Sequence, residues 1–107
     1  MVFVIMASFV VVRGLKKLGG DLKDARRRRR IKAALMAERL GITRSTLDRM
    51  EKGEASVSMG TYATAIYSLD PDKLNQLINI FSRENDVLGQ LISDRELPQR
   101  IRGTPRL

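Results

Sequence analysis

Arg44, Ser45 and Arg49 bring two guanidiniums and a hydroxyl close together in the sequence. On a helix, Leu47 and Met50 turn toward a core, and Arg44, Ser45, Asp48 and Arg49 lie off that face. Arginine is the commonest specific reader of guanine, through paired donors to O6 and N7, and a good pair contributes about 1–3 kcal/mol of discrimination. Arg44 or Arg49 would then read a G, with Ser45 also directed at base edges. The plainer alternative is that both arginines touch only phosphate. Asp48 either accepts from a cytosine amino group or orients a neighbouring arginine. Thr43, Thr46 and Lys52, together with Arg26, Arg27 and Arg30, have the chemistry of phosphate contacts, which fix register without reading sequence.

Other chemistries have little to build on. The chain has 107 residues, no Cys and no His. It therefore carries no disulfide framework, no thiolate nucleophile and no imidazole base or ligand. No Gly-rich phosphate loop is present, and no carboxylate cluster has metal-ligand spacing. The sequence points away from an enzyme and implies no cofactor and no metal. The absence of Cys suits a reducing cytoplasm. The net charge of +8 is concentrated in Lys23, Arg26 to Arg30 and Lys32, and again in Arg95, Arg100, Arg102 and Arg106. That distribution asks for a polyanion, with nucleic acid ahead of an anionic membrane surface. The arginine run also has a bland reading, a solvated helix face whose stems cover the core edge.

The elements that must position these groups follow from apolar spacing. Leu15, Leu18, Leu22 and Ala25 mark a helix over residues 14–30. Gly19 and Gly20 each cost a helix about 1 kcal/mol relative to Ala, which offers a later start at Gly20 or Asp21 as the alternative. Ala34, Leu35, Ala37 and Leu40 predict a second helix over 33–40, closed by Gly41. Thr43 predicts the N-cap of a third over 44–51, ended by Lys52 and Gly53. Two short helices joined by a tight turn, the second exposing Arg and hydroxyl groups, are the layout of a helix-turn-helix. Ser58 caps a fourth helix with Met59, Tyr62, Ile66 and Leu69 inward; Tyr62 is expected in the core rather than as a stacking platform. Asp70-Pro71 opens a fifth helix with Leu74, Leu77, Ile78 and Phe81 buried. Residues 82–86 read as a loop. Val87, Leu88, Leu91 and Ile92 read as one more short helix, which stands beside the apolar N-terminal run as a candidate dimer seam or surface for another protein.

The first residues are almost wholly apolar and too short a run to span a bilayer. Their Val, Ile and Phe content favours a strand or dimer-contact segment over residues 1–13. A translation start at Met6 and a targeting signal are the other readings. The domain boundaries are then 1–13, a DNA-binding domain at 14–81, and a C-terminal helix and basic tail at 82–107. No membrane partner is expected.

The combined spacing resembles the Cro/phage-repressor (XRE) family over about residues 18–70. It stands here as Met36-Ala37-Glu38-Arg39-Leu40-Gly41-Ile42-Thr43, then Leu47, then Met50-Glu51-Lys52-Gly53, with Ser58-Met59 opening the next helix. The resemblance implies an all-α, compact five-helix lambda-repressor-like DNA-binding domain. It implies a sequence-specific repressor that binds operator DNA as a homodimer, with the two reading helices about 34 Å apart. Many members carry Gln near the start of the second helix. Ala33 stands there in this chain, so that contact is absent. A narrower resemblance links residues 18–29, 51–53, 58–63 and 97–102 to HipB-like antitoxins. Those proteins repress their own operon and bind a HipA-like kinase toxin, which would make such a kinase a second partner. A plain repressor without a toxin, and a protein-inhibitor module with incidental DNA binding, are the alternatives.

Overall fold

The computed structural model describes residues 1–95 and is all-helical over them. The elements are α1 (Val2–Arg28), α2 (Ala33–Leu40), α3 (Arg44–Glu51), α4 (Met59–Leu69), α5 (Pro71–Ile78) and α6 (Val87–Arg95). The basic stretch at 97–102 lies outside the described residues. The chain divides into two compact units, Met1–Leu74 and Asn75–Leu107.

In the first unit, Leu22, Met36, Ala37, Leu47, Met50, Val57, Tyr62 and Ala65 form the core. α1 packs against α3 and α4, and α2 packs against the same two helices. Leu47 and Met50 sit inside as their spacing predicts, and so does Tyr62. The α2 face is rotated from the expected one. Met36 and Ala37 are buried, with Ala33 and Leu40 packed beside them, and Leu35 is 40% exposed. Positions 33, 36, 37 and 40 also form an i, i+3, i+4, i+7 stripe, and an eight-residue helix offers too few turns to choose between neighbouring stripes. In α4, Met59 is exposed and Ala65 takes the interior position.

The helix ends position the turn. Gly41 is left-handed at φ 68°, its N–H bonded to Glu38 O and the Ile42 N–H to Ala37 O. Gly53 repeats the arrangement at φ 78°, with its N–H on Met50 O and the Glu54 N–H on Arg49 O. These are Schellman closures, which satisfy the last carbonyls of a helix. α1 closes the same way, but Arg30 holds the left-handed place at φ 57°. Its N–H bonds Arg27 O, and the Ile31 N–H bonds Arg26 O. For a side chain with a Cβ that conformation costs roughly 1–2 kcal/mol.

Residues 2–12 are helical, which corrects the strand expectation. A strand needs neighbouring strands, and there are none among the described residues. Extending a helix that is already nucleated fixes one residue per added bond, so the apolar run simply continues α1. Gly19 and Gly20 do not delay its start either. Gly19 is buried, and a Cβ there would lie 2.5 Å from Met50 O, 2.6 Å from Gly53 N and 2.9 Å from Glu51 O. The glycine lets the α1 backbone rest on the end of α3, and that packing outweighs its poor helix propensity.

In the stretch that opens α5, Asp70 accepts from the Asp72 N–H at 3.1 Å and so caps the helix, with Pro71 as its first residue. In the second unit, the Asp86 carboxylate caps α6 by accepting from the Gly89 N–H at 3.0 Å. Ile78 and Phe81, expected inside, are exposed.

Gly19 and Gly20 offer a direct comparison. Gly19→Ala should lower unfolding free energy by about 1–3 kcal/mol through overpacking. Gly20→Ala, with open space around its Cα, should raise it by up to about 1 kcal/mol through helix propensity. Urea unfolding followed by circular dichroism measures both.

Candidate nucleic-acid interface

α3 begins at Thr43, whose Oγ1 accepts from the Thr46 N–H at 3.0 Å. The Thr43 hydroxyl also donates to Thr46 Oγ1 at 3.0 Å, so both threonines are engaged at the helix N-terminus. Leu47 and Met50 anchor the helix from below. Arg44 and Ser45 are exposed on its first turn, Asp48 follows on the next, and Arg49 is half-buried near the end. The structure brings Arg44, Ser45 and Arg49 together on one short helix, away from its core face.

Neither arginine hangs free. Arg44 Nε donates to Asp48 Oδ1 at 3.2 Å, an i, i+4 pair. Of the two roles open to Asp48, the free protein displays the orienting one. Arg49 Nε donates to Glu54 Oε1 at 3.2 Å, and its Nη2 donates to Ser56 Oγ at 3.0 Å. Glu54 and Ser56 escape a reading of the sequence because they lie beyond Gly53, where helical periodicity has ended.

The phosphate set is divided. Lys52 is exposed at the C-cap of α3, and Arg27 and Arg30 are exposed where α1 turns toward α2. Arg26 must be removed from the set. It is 7% exposed, and its Nε and Nη2 donate to the two oxygens of Glu51 at 2.8 and 3.2 Å. Its Nη1 donates to Ile31 O at 2.8 Å. A buried guanidinium with each of its three nitrogens bonded inside the protein is not presented to a phosphate. The signal was in the spacing, since Arg26 lies four residues after buried Leu22 and so shares its face. Elsewhere in the basic run, Arg28 pairs with Asp24, and Arg29 Nη1 donates to Ala25 O at 3.0 Å.

The loop after α3 is tied down. Tyr62 is buried and donates its hydroxyl to Glu54 O at 2.9 Å. Burial, and then the neighbouring Glu54 carboxylate, push the Tyr62 phenol above its ordinary 10.0.

Over residues 17–77 the chain matches the model of a family described as a helix-turn-helix domain. It is a helix-turn-helix protein. The matched span contains α2, α3 and α4 and the turn at Gly41, so the family covers the unit that displays Arg44 and Arg49. This helix-turn-helix is XRE-like, and its role is that of a DNA-binding regulator. No curated protein matches the chain significantly, and neither does any solved structure. Among the described residues, no helix is long and apolar enough to cross a membrane.

Tyr62 yields a pH prediction whose sign is fixed. Below pH 10.0 the phenol is neutral in folded and unfolded chains alike, so stability is unaffected by it. As pH rises through 10.0 the unfolded chain deprotonates first, and stability falls until the higher folded value is passed. Tyr62→Phe should cost about 1 kcal/mol at neutral pH, through the lost hydrogen bond to Glu54 O. It should also flatten the alkaline decline. Urea unfolding at pH 7 and at stepped pH above 10 separates the two effects.

Proposed function

We propose that this protein is a sequence-specific transcriptional repressor that binds operator DNA as a homodimer in the cytoplasm and has no catalytic activity. The observation that carries the reading is the grouping of exposed Arg44 and Ser45 with half-buried Arg49 on the outer side of α3, over a face closed by Leu47 and Met50. α3 enters the major groove with its N-terminal end toward the bases. Arg44 and Arg49 read guanine, and Ser45 assists at the base edge. Thr43, Thr46, Lys52, Arg27 and Arg30 hold phosphates. Arg30 supports this division of labour. It occupies the left-handed closing position that Gly fills after α2 and α3, so a charge is kept there at a conformational cost.

The proposed dimer seam is residues 2–12. Phe3, Val4, Ile5, Met6, Phe9 and Val10 are all more than half exposed, on every face of the helix. A helix apolar all round calls for a partner. The regulator is further proposed to be the antitoxin of a HipA-like kinase and to control its own operon. This rests on the similarity of residues 18–29, 51–53 and 58–63 to HipB-like proteins. Capture of a kinase-like protein encoded beside this chain supports that assignment, and a plain repressor would capture none.

Binding to the preferred DNA and to random DNA, titrated against salt, tests the rest. Arg49→Ala should cost about 1–3 kcal/mol on the preferred site and little on random DNA. Equal loss on both would make Arg49 a phosphate contact. Arg30→Gly should weaken both equally and reduce the salt slope by about 1. Its stability should stay within about 1 kcal/mol of the parent.

Sedimentation equilibrium tests the seam. Phe9→Glu should shift the protein to monomer and lower operator affinity, with the helical circular dichroism signal retained. A variant still dimeric would move the seam elsewhere.

A further inference from the structure

We infer that Glu54 and Ser56, on the loop after α3, are positioning residues that clamp one edge of the Arg49 guanidinium and thereby set its base specificity. The inference rests on the reading of Arg49 as a base contact.

A guanidinium presents two flat edges. The side edge carries the Nε–H and one Nη2–H. The end edge carries one N–H from each Nη. In Arg49 the side edge is taken, with Nε on Glu54 Oε1 at 3.2 Å and Nη2 on Ser56 Oγ at 3.0 Å. Ser56 Oγ in turn donates to Glu54 Oε1 at 3.4 Å, which ties the two acceptors to each other. The end edge is left with two parallel donors, a geometry that fits guanine O6 and N7.

A clamp is useful only if its own support is fixed. The Glu54 N–H donates to Arg49 O at 3.0 Å, and Glu54 O accepts from the Tyr62 hydroxyl at 2.9 Å and from the Val57 N–H at 3.3 Å. Val57 belongs to the core. The loop is therefore held by α3, by α4 and by the packed interior. Arg44, by contrast, has one contact, to Asp48 one turn along the same helix. The Glu54 charge has a second effect. It repels phosphates near Arg49, so a register that brings the backbone there gains less from the arginine.

Glu54→Ala and Glu54→Gln separate positioning from charge. Both remove the same negative charge, so both should raise affinity for random DNA by the same factor. Only Gln keeps an oxygen acceptor for the Arg49 Nε–H. The full-length protein is first used to select its preferred duplex from a random pool. Binding to that duplex, to its single-base variants and to random DNA is then measured for each protein. Arg49→Ala should flatten the preference at one base pair by about tenfold or more. Glu54→Ala should flatten the same position at least about threefold, Ser56→Ala less, and Glu54→Gln should keep most of it. Thermal melting of each variant checks that the fold is retained, and a merely structural defect would lower affinity for all duplexes together. The clamp is overturned if the two Glu54 variants discriminate equally, or if Glu54→Ala and Ser56→Ala leave the Arg49-dependent position unchanged. If Arg49→Ala alters no position, the base-reading assignment itself falls and the clamp falls with it.

Discussion

The ion pair between Arg26 and Glu51 is the interaction on which the rest of the first unit depends. One guanidinium takes both carboxylate oxygens of the last α3 residue and, with its third nitrogen, the Ile31 carbonyl that follows α1. It thereby joins the end of the first helix, the approach to the second and the end of the third. The hydration lost by two buried charges is offset only through good pairing and further hydrogen bonds, and stripping one partner from such a pair typically costs about 3–5 kcal/mol. Its value here is geometric. Only a planar fork satisfies this carboxylate and the carbonyl together, which fixes the angle at which α3 leaves α1. Gly19 completes the constraint by letting the two backbones touch where any Cβ would intrude.

That constraint is what an eight-residue helix needs. In isolation such a helix would scarcely form, since nucleation is costly and few bonds follow it. α3 is held by a cap at Thr43, by Leu47 and Met50 underneath, and by the ion pair at its last turn. Its outer face can therefore be spent on polar groups. The same economy shows in its arginines. Each has a nearby carboxylate or hydroxyl, so each is partly ordered before a ligand arrives, and less side-chain freedom is lost on binding.

Much of this was legible in the residues. Gly41, Thr43, Ser58 and Asp70-Pro71 mark helix ends through local chemistry, and each end lies where that chemistry puts it. Leu47, Met50 and Tyr62 face inward because their neighbours are polar and leave no competing stripe. What escaped depends on contacts distant in sequence. Within the arginine run, spacing from Leu22 marks Arg26 as the inward member, but its partner Glu51 lies twenty-five positions away, where no local pattern points to it. Gly19 reads as a helix weakener until the α3 backbone is seen against it. The β-branched content of residues 2–12 suggested a strand, but strand formation requires a neighbour the chain does not supply within its described residues. The Glu54 and Ser56 contacts to Arg49 cross a helix end, where periodic spacing carries no information.

The uninterrupted length of α1 couples its two ends by phase. Gly19 can face the α3 backbone in only one orientation, so the azimuth of every residue upstream is set from that point, at 3.6 residues per turn. A partner gripping residues 2–12 therefore does not hold a tether. It holds a shaft keyed to the body, and through the ion pair, to α3. Adding or removing one residue between Val12 and Leu15 would turn the gripped end by about 100° around the shaft and leave the core untouched. If two copies dock through residues 2–12, the distance and twist between their α3 helices would be set by the number of residues in α1 upstream of Gly19.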